Sequence, residues 1–219
     1  MSEARGSSRG SYPWDLHPAL TEERLVASAR LLVRGRERAL EMADYQAGDD
    51  PWSVGCRAYS FSRHQVKAAA EAGRYPWLKV LDATHHFVFL IDGVPVRFFR
   101  GDADEPNKRT LRLQEDEATQ IAMAFGGEGE TGGLMFRLAL ETKDRGGVER
   151  VVFLALRGEE GRTECFWPVP MPPPVPVIAP APKPRSLPQP AALQLALLPG
   201  VAPSSPLGGR RRGPRRSAA

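Results

Sequence analysis

The chain has 219 residues with 30 Lys or Arg, 26 Asp or Glu and two cysteines, which suits one domain of ordinary size plus extensions and excludes a disulfide scaffold. Its net charge of +4 is unevenly held: residues 167–219 contain 15 of the 21 prolines and seven basic residues with no acid, leaving 23 basic and 26 acidic residues, −3, in residues 1–166. The body therefore has no bulk attraction for phosphates, and any nucleic-acid binding there has to come from a local patch.

Residues 1–20 are polar and poorly patterned, with Pro13 and Pro18 opposing a helix, and are expected to form a flexible lead-in. Thr21 caps a predicted helix. Glu22 and Glu23 suit its dipole, and Leu25, Ala29, Leu32, Val33, Leu40 and Ala43 form an apolar stripe running to about Tyr45, with Gly35 weakening the middle. A turn-rich stretch, Gly48 to Gly55, precedes a second predicted helix. Its expected start is the capping box Ser62 and Gln65, with Phe61 and Val66 as a hydrophobic staple, and Gly73 and Pro76 mark its end.

The period then changes. Thr84 to Ile91 reads as a central strand, and Asp92-Gly93 turns it into a second strand over Val96 to Arg100. A short strand is expected over Arg109 to Leu113, before an acidic first turn opens a third helix carrying Ala118, Ile121, Ala122 and Phe125 on one face. Gly126-Gly127 stops that helix. Leu134 to Lys143 alternates, which predicts a strand with Leu134, Phe136, Leu138 and Leu140 buried and Arg137 and Glu141 on a wet face. Val148 to Arg157 and Arg162 to Trp167 complete a meander.

These elements predict an α+β fold over residues 21–167. It is a mostly antiparallel sheet of about five or six strands, packed on one face by about three helices. Residues 168–219 are expected to be a disordered Pro-rich and basic tail. Pro170, Pro173 and Pro176 satisfy P-x-x-P, and the apolar octet Ala191 to Leu198 is long enough to fold against a partner groove. Arg210, Arg211, Arg212, Arg215 and Arg216 place five positive charges near the end, a source of salt-sensitive attraction to nucleic acid or acidic surfaces.

Within the body, Arg97, Arg100, Arg109 and Arg112, with Lys108, form the best anion or nucleic-acid site if Arg97, Arg109 and Arg112 share a strand face. The alternative for this cluster is a charged edge that discourages aggregation. Arg30, Arg34 and Arg38 also form a basic line, but Glu37 and Glu41 flank it and favour a self-paired surface.

Glu141-Thr142-Lys143, at the end of an apolar strand, resembles the second half of the PD-(D/E)xK nuclease motif. The resemblance implies Mg²⁺ held by Glu141 and an upstream acid, with Lys143 beside the attacking water. No acidic residue falls on a suitable preceding strand, and a hairpin pairing Lys143 with Val148 would set Glu141 opposite Arg150 as a surface ion pair. His64, His85, His86, Cys56 and Cys165 lack metal-ligand spacing, and adjacent strand residues such as His85 and His86 would face opposite ways, so no metal site is expected. The Gly-rich segment 125–133 lacks a phosphate-loop ending and is expected to be a mobile connector.

No nucleophile elbow, catalytic triad or carboxylate pair stands out. The expectation is a non-enzymatic adaptor or regulatory protein without a cofactor, whose body binds another macromolecule, a protein rather than nucleic acid, while its tail attracts polyanions. The alternatives are the Mg²⁺-dependent nuclease and a nucleic-acid-binding domain using the Arg-rich sheet face. Two cysteines, no apolar run long enough to cross a membrane and no signal-peptide core lead to the expectation of a cytoplasmic protein, and the 25 Arg against 5 Lys to that of a bacterial one.

Overall fold

The protein was described from a computed structural model covering residues 12–126, 133–144 and 146–171. The tail after Met171, with its P-x-x-P stretch, apolar octet and terminal arginines, therefore lies outside the described residues, as does most of the Gly-rich segment.

The packed body begins earlier than expected. Helix α1 (Pro13–Leu16) opens with Pro13 at its first position, where the missing N–H costs nothing, and the Asp15 carboxylate accepts the Tyr12 N–H. Trp14 meets Trp167 edge to face at 5.5 Å, and Leu20 is fully buried. The flexible reading of residues 1–20 is thus corrected for residues 12–20: two aromatic rings and a leucine anchor a stretch whose polarity pattern hides them.

Helix α2 (Glu22–Glu41) starts where Thr21 predicts, its hydroxyl accepting the Arg24 N–H at 3.4 Å. Helix α3 (Pro51–Glu71) starts eleven residues before the expected Ser62. Asp50 caps it, taking the Ser53 N–H at 2.7 Å while Ser53 Oγ accepts the Asp50 N–H at 3.0 Å. Gly55 does not break the helix because tertiary contacts outweigh its propensity cost. Ser62 lies inside α3, buried, and its hydroxyl donates to the Leu32 carbonyl of α2 at 2.8 Å. A Cβ on Gly35 would come within 2.4 Å of Ser62 Cα, so Gly35 is the point at which the two helices cross in backbone contact.

Six strands follow among the described residues, β1 (Leu78–Asp82), β2 (Val88–Ile91), β3 (Val94–Arg100), β4 (Leu134–Thr142), β5 (Val148–Arg157) and β6 (Arg162–Pro168), with α4 (Glu115–Phe125) between β3 and β4. They form one sheet in sequence order, antiparallel throughout except for the parallel pair β3–β4 that the α4 crossover permits. The α+β architecture and the largely antiparallel sheet agree with the sequence reading. Asp92 (φ 50°) and Gly93 (φ 88°) make the tight β2–β3 turn that Asp-Gly predicts.

Two strand expectations are corrected. The strand expected from Thr84 shortens to Val88–Ile91, because the Asp82 carboxylate takes the Thr84 N–H (2.6 Å) and hydroxyl (2.9 Å) and turns residues 83–87 out of line. Arg109 to Leu113 form no strand: the Asn107 carbonyl accepts the N–H groups of Thr110 and Leu111 and closes a turn.

The expected wet face of β4 is also corrected. The even-numbered residues Leu134, Phe136, Leu138 and Leu140 join the main core against α2 and α3. On the opposite face, Met135 and Ala139 belong to a second core roofed by Ala103, Leu111 and Leu113 of the β3–α4 connection. That connection covers the face left for water, so helices on one side are matched by a loop on the other. At the far edge Pro168 pairs with Val152, and Val169 donates to the Val151 carbonyl at 2.8 Å, so the packed body continues past Trp167. No helix among the described residues is long and apolar enough to cross a membrane.

Candidate anion-binding cleft

Strand β3 changes partner midway. Val94–Val96 pair with β2, whereas Arg97–Arg100 pair with β4. The break leaves the β2 side of Arg97–Arg100 facing a cavity of about 450 Å³. Helix α3 forms one wall, the 84–87 turn a second, and Asn107 to Thr110 a third.

Five arginines line this cavity, from four different parts of the chain: Arg36 of α2, Arg97 and Arg100 of β3, Arg109 of the connecting loop and Arg137 of β4. Among the described residues no Asp or Glu lines it. Their pairing differs sharply. Arg137, 1% exposed, is fully engaged, forming an ion pair with the completely buried Glu117 of α4 and donating to the carbonyls of Thr110 (2.9 Å) and Phe136 (2.9 Å). Arg97 is partly engaged: its Nε–H donates to the His86 carbonyl at 3.1 Å, its Nη1 to the Arg112 carbonyl at 2.9 Å, and Glu117 lies 3.7 Å away.

Arg36 stands apart. It is only 5% exposed, donates Nε–H to the Gly146 carbonyl, and has no carboxylate in salt-bridge range among the described residues. Burial first, and then the neighbouring Arg100 cation, push the pKa of its guanidinium down. The side chains of Arg100 and Arg109 make no hydrogen bond or ion pair among the described residues. Arg100 reaches under α3, where a Cβ on Gly55 would stand 3.2 Å from its Nη1. The missing side chain at Gly55 leaves that guanidinium its space.

Aromatic and imidazole groups share the cavity. Trp52, Gly55, Cys56 and Tyr59 lie at i, i+3, i+4 and i+7 on α3, so one helix face looks into it. Trp52 is 76% exposed. Tyr59 packs at 5.1 Å on Phe98, donates to the His85 carbonyl at 2.8 Å, and has its hydroxyl pKa raised by desolvation. His85 and His86 do not face opposite ways, because both lie in the turn and their ring centroids are 3.9 Å apart. Desolvation, then His85, push the His86 pKa down. Among the described residues no three His, Cys, Asp or Glu side chains are grouped to hold a metal ion.

Of the arginine cluster expected to bind anions, the structure brings together Arg97, Arg100 and Arg109 at the cavity. Arg112 lies in the loop outside the cavity lining, offering its carbonyl to Arg97 and Arg137. Arg210, Arg211, Arg212, Arg215 and Arg216 lie outside the described residues. Glu141 pairs across the hairpin with Arg150, whose Nη2 is 2.9 Å from Oε1, and the Ala103 N–H donates to the same oxygen at 3.1 Å. A bulge replaces the expected Lys143–Val148 pairing by Thr142–Val148 while keeping Glu141 opposite Arg150. The Arg150 hydrogen bond, foremost, holds the Glu141 carboxyl below its ordinary range. Lys143 donates its backbone N–H to the Gly147 carbonyl at 2.9 Å, and Asp104 shares Arg150 with Glu141, its carboxylate 3.6 Å from Nη2.

Sequence reasoning missed Arg36, Arg137, Trp52 and Tyr59. A signal existed for the first: Arg36 falls four residues after Leu32 and four before Leu40, on the apolar stripe of α2. Comparison with protein-family models, curated proteins and solved structures finds no match.

Proposed function

We propose that the body is a non-catalytic binding module of an adaptor or regulatory protein, and that its cleft captures a ligand bearing concentrated negative charge. Arg36 carries this reading. A buried cation is costly unless an anion compensates it, and Arg36 has none among the described residues while Arg100 sits close enough to depress its pKa further. A ligand anion between Arg36 and Arg100 would remove both penalties. Arg97 and Arg109 add positive potential at the same cavity, and low-dielectric walls concentrate it. The proposal includes a cytoplasmic, bacterial setting, supported by the composition. It also assigns the terminal arginines a non-specific hold on polyanions, supported by their charge density.

The test is thermal unfolding of the full-length protein with inorganic pyrophosphate, beside an Arg36→Met, Arg100→Met double variant. At a pyrophosphate concentration 100 times the Kd, the native protein should gain about 2.7 kcal/mol and the variant nothing. Without the anion, the variant should be at least as stable as the native protein, because an unpaired buried charge has been removed. Equal stabilisation of both proteins, or none of the native one, rejects the proposal.

A further inference from the structure

We infer that the ligand of this cleft is a nucleotide carrying more than one phosphate, a nucleoside diphosphate or its equivalent at the end of a nucleic-acid strand. The inference rests on the anion-binding reading and adds three observations to it.

The first is the count of uncompensated charge. Arg36, Arg100 and Arg109 have no carboxylate in salt-bridge range among the described residues, whereas Arg137 and Arg97 share Glu117. A single phosphate ester carries about 1.5–2 negative charges near neutral pH. Three free guanidiniums exceed one monoester and match a diphosphate.

The second is the aromatic surface beside those charges. Trp52 presents an indole that is 76% exposed at one end of the α3 face, and Tyr59 stands two turns along, about 10 Å away by helix geometry. Gly55 lies between them, directly over Arg100. A planar base on Trp52 would thus leave its phosphates within reach of the arginines in the middle of the cavity. Base–aromatic stacking is available to any nucleobase, so the arrangement selects the class of ligand rather than one base.

Shape and polar detail supply the third. About 450 Å³ lies within the range of small-molecule sites. The Asn107 carboxamide oxygen is used by Thr110, leaving its NH₂ for a ligand, and the His85 and His86 rings bond to no described residue. Those donors and acceptors suit the sugar and base edges of a nucleotide. Pyrophosphate alone would leave the indole exposed and these groups unused.

Calorimetric titration of the full-length protein with pyrophosphate, AMP and ADP tests the inference. ADP should bind on the order of ten-fold more tightly than pyrophosphate, the share contributed by stacking, and more tightly than AMP. Trp52→Ala should bring ADP affinity down to that of pyrophosphate and leave pyrophosphate unchanged, while Trp52→Phe restores most of the difference; the exposure of Trp52 keeps folding out of the comparison. A short oligonucleotide with a 5′-diphosphate, set against its 5′-hydroxyl counterpart, separates a strand end from a free nucleotide, because attraction to the tail is common to both. ADP also should slow modification of the cleft-lining Cys56 by a thiol reagent. Pyrophosphate binding with no ADP advantage, or an advantage that survives Trp52→Ala, overturns the nucleotide assignment and leaves the anion site standing. Failure of pyrophosphate and ADP alike overturns both.

Discussion

Replacing Gly35 by alanine sets two effects of opposite sign against each other. In an exposed helix interior the change would stabilise by about 1 kcal/mol, because glycine gives up more backbone freedom on folding than alanine. In α2 the new methyl group would lie 2.4 Å from both Ser62 Cα and Ser62 N, and 2.7 Å from Phe61 C. Carbon atoms reach their best separation at about 3.5–4.0 Å, so the helices would have to part by about 1 Å at their crossing. The obstacle is backbone, which cannot swing aside as a side chain can. Overpacking of this kind costs about 1–3 kcal/mol and occasionally more. The movement would also stretch the 2.8 Å hydrogen bond from Ser62 Oγ to the Leu32 carbonyl. With the cost at the top of its range and the propensity gain subtracted, the net loss is about 2 kcal/mol. Urea unfolding followed by far-ultraviolet circular dichroism measures it, with the m-value checked for constancy. A variant as stable as the native protein, or more so, would refute the backbone-contact reading of the α2–α3 crossing.

Two further outcomes follow from the same structure. Glu117→Gln leaves the buried Arg137 cation without its counter-charge and should cost about 3–5 kcal/mol, whereas Glu117→Leu combined with Arg137→Met should recover most of that loss; denaturant titration of the three proteins decides, and a single-variant cost below about 1 kcal/mol contradicts the pairing. Hydrogen bonds from Arg57, from the Asp44 N–H and from Ser53 hold the Asp49 carboxyl down to about 2 from an ordinary 3.8. Its contribution is therefore complete above the unfolded value and is lost as pH falls through the folded one, so the stability difference between native protein and Asp49→Asn should shrink between about pH 4 and pH 2; a difference that stays constant across that window removes Asp49 from the acid response.

Local signals in the sequence located the parts of the fold that depend on local chemistry. Thr21 with Glu22 and Glu23, Asp92-Gly93, and the acidic first turn of α4 act within four residues of themselves, and each appears where expected. Elements decided by distant contacts were misplaced. Ser62 and Gln65 satisfy a capping pattern, but Ser62 is instead buried against Leu32 of another helix. The alternation of β4 correctly separates two faces, yet nothing near Arg137 in sequence announces that residues 101–113 will cover the second one. The proposed anion site was legible in half. Arg97, Arg100 and Arg109 could be gathered because they lie within 13 residues of one another, while Arg36 joins them only through the packing of α2 across the sheet.

Arg36 and Arg137 differ in how the fold meets their charges inside one cavity. Both are arginines at least 95% buried at the same lining. Where the cation is structural, the fold surrounds it: Arg137 has a carboxylate in contact and several carbonyl acceptors, as a buried charge requires. Arg36 has one carbonyl. A charged edge that guards against aggregation does not account for it either, because that device works by exposure to solvent. The exposed Arg109 fits such a role, and Arg36 does not. In the proposed reading, the buried guanidinium of Arg36, with no counter-charge among the described residues and beside the exposed Arg100, lowers the stability of the fold, and its fixed position lowers the cost of bringing an anion there. On the proposed reading, the energy withheld from folding at Arg36 becomes available for binding.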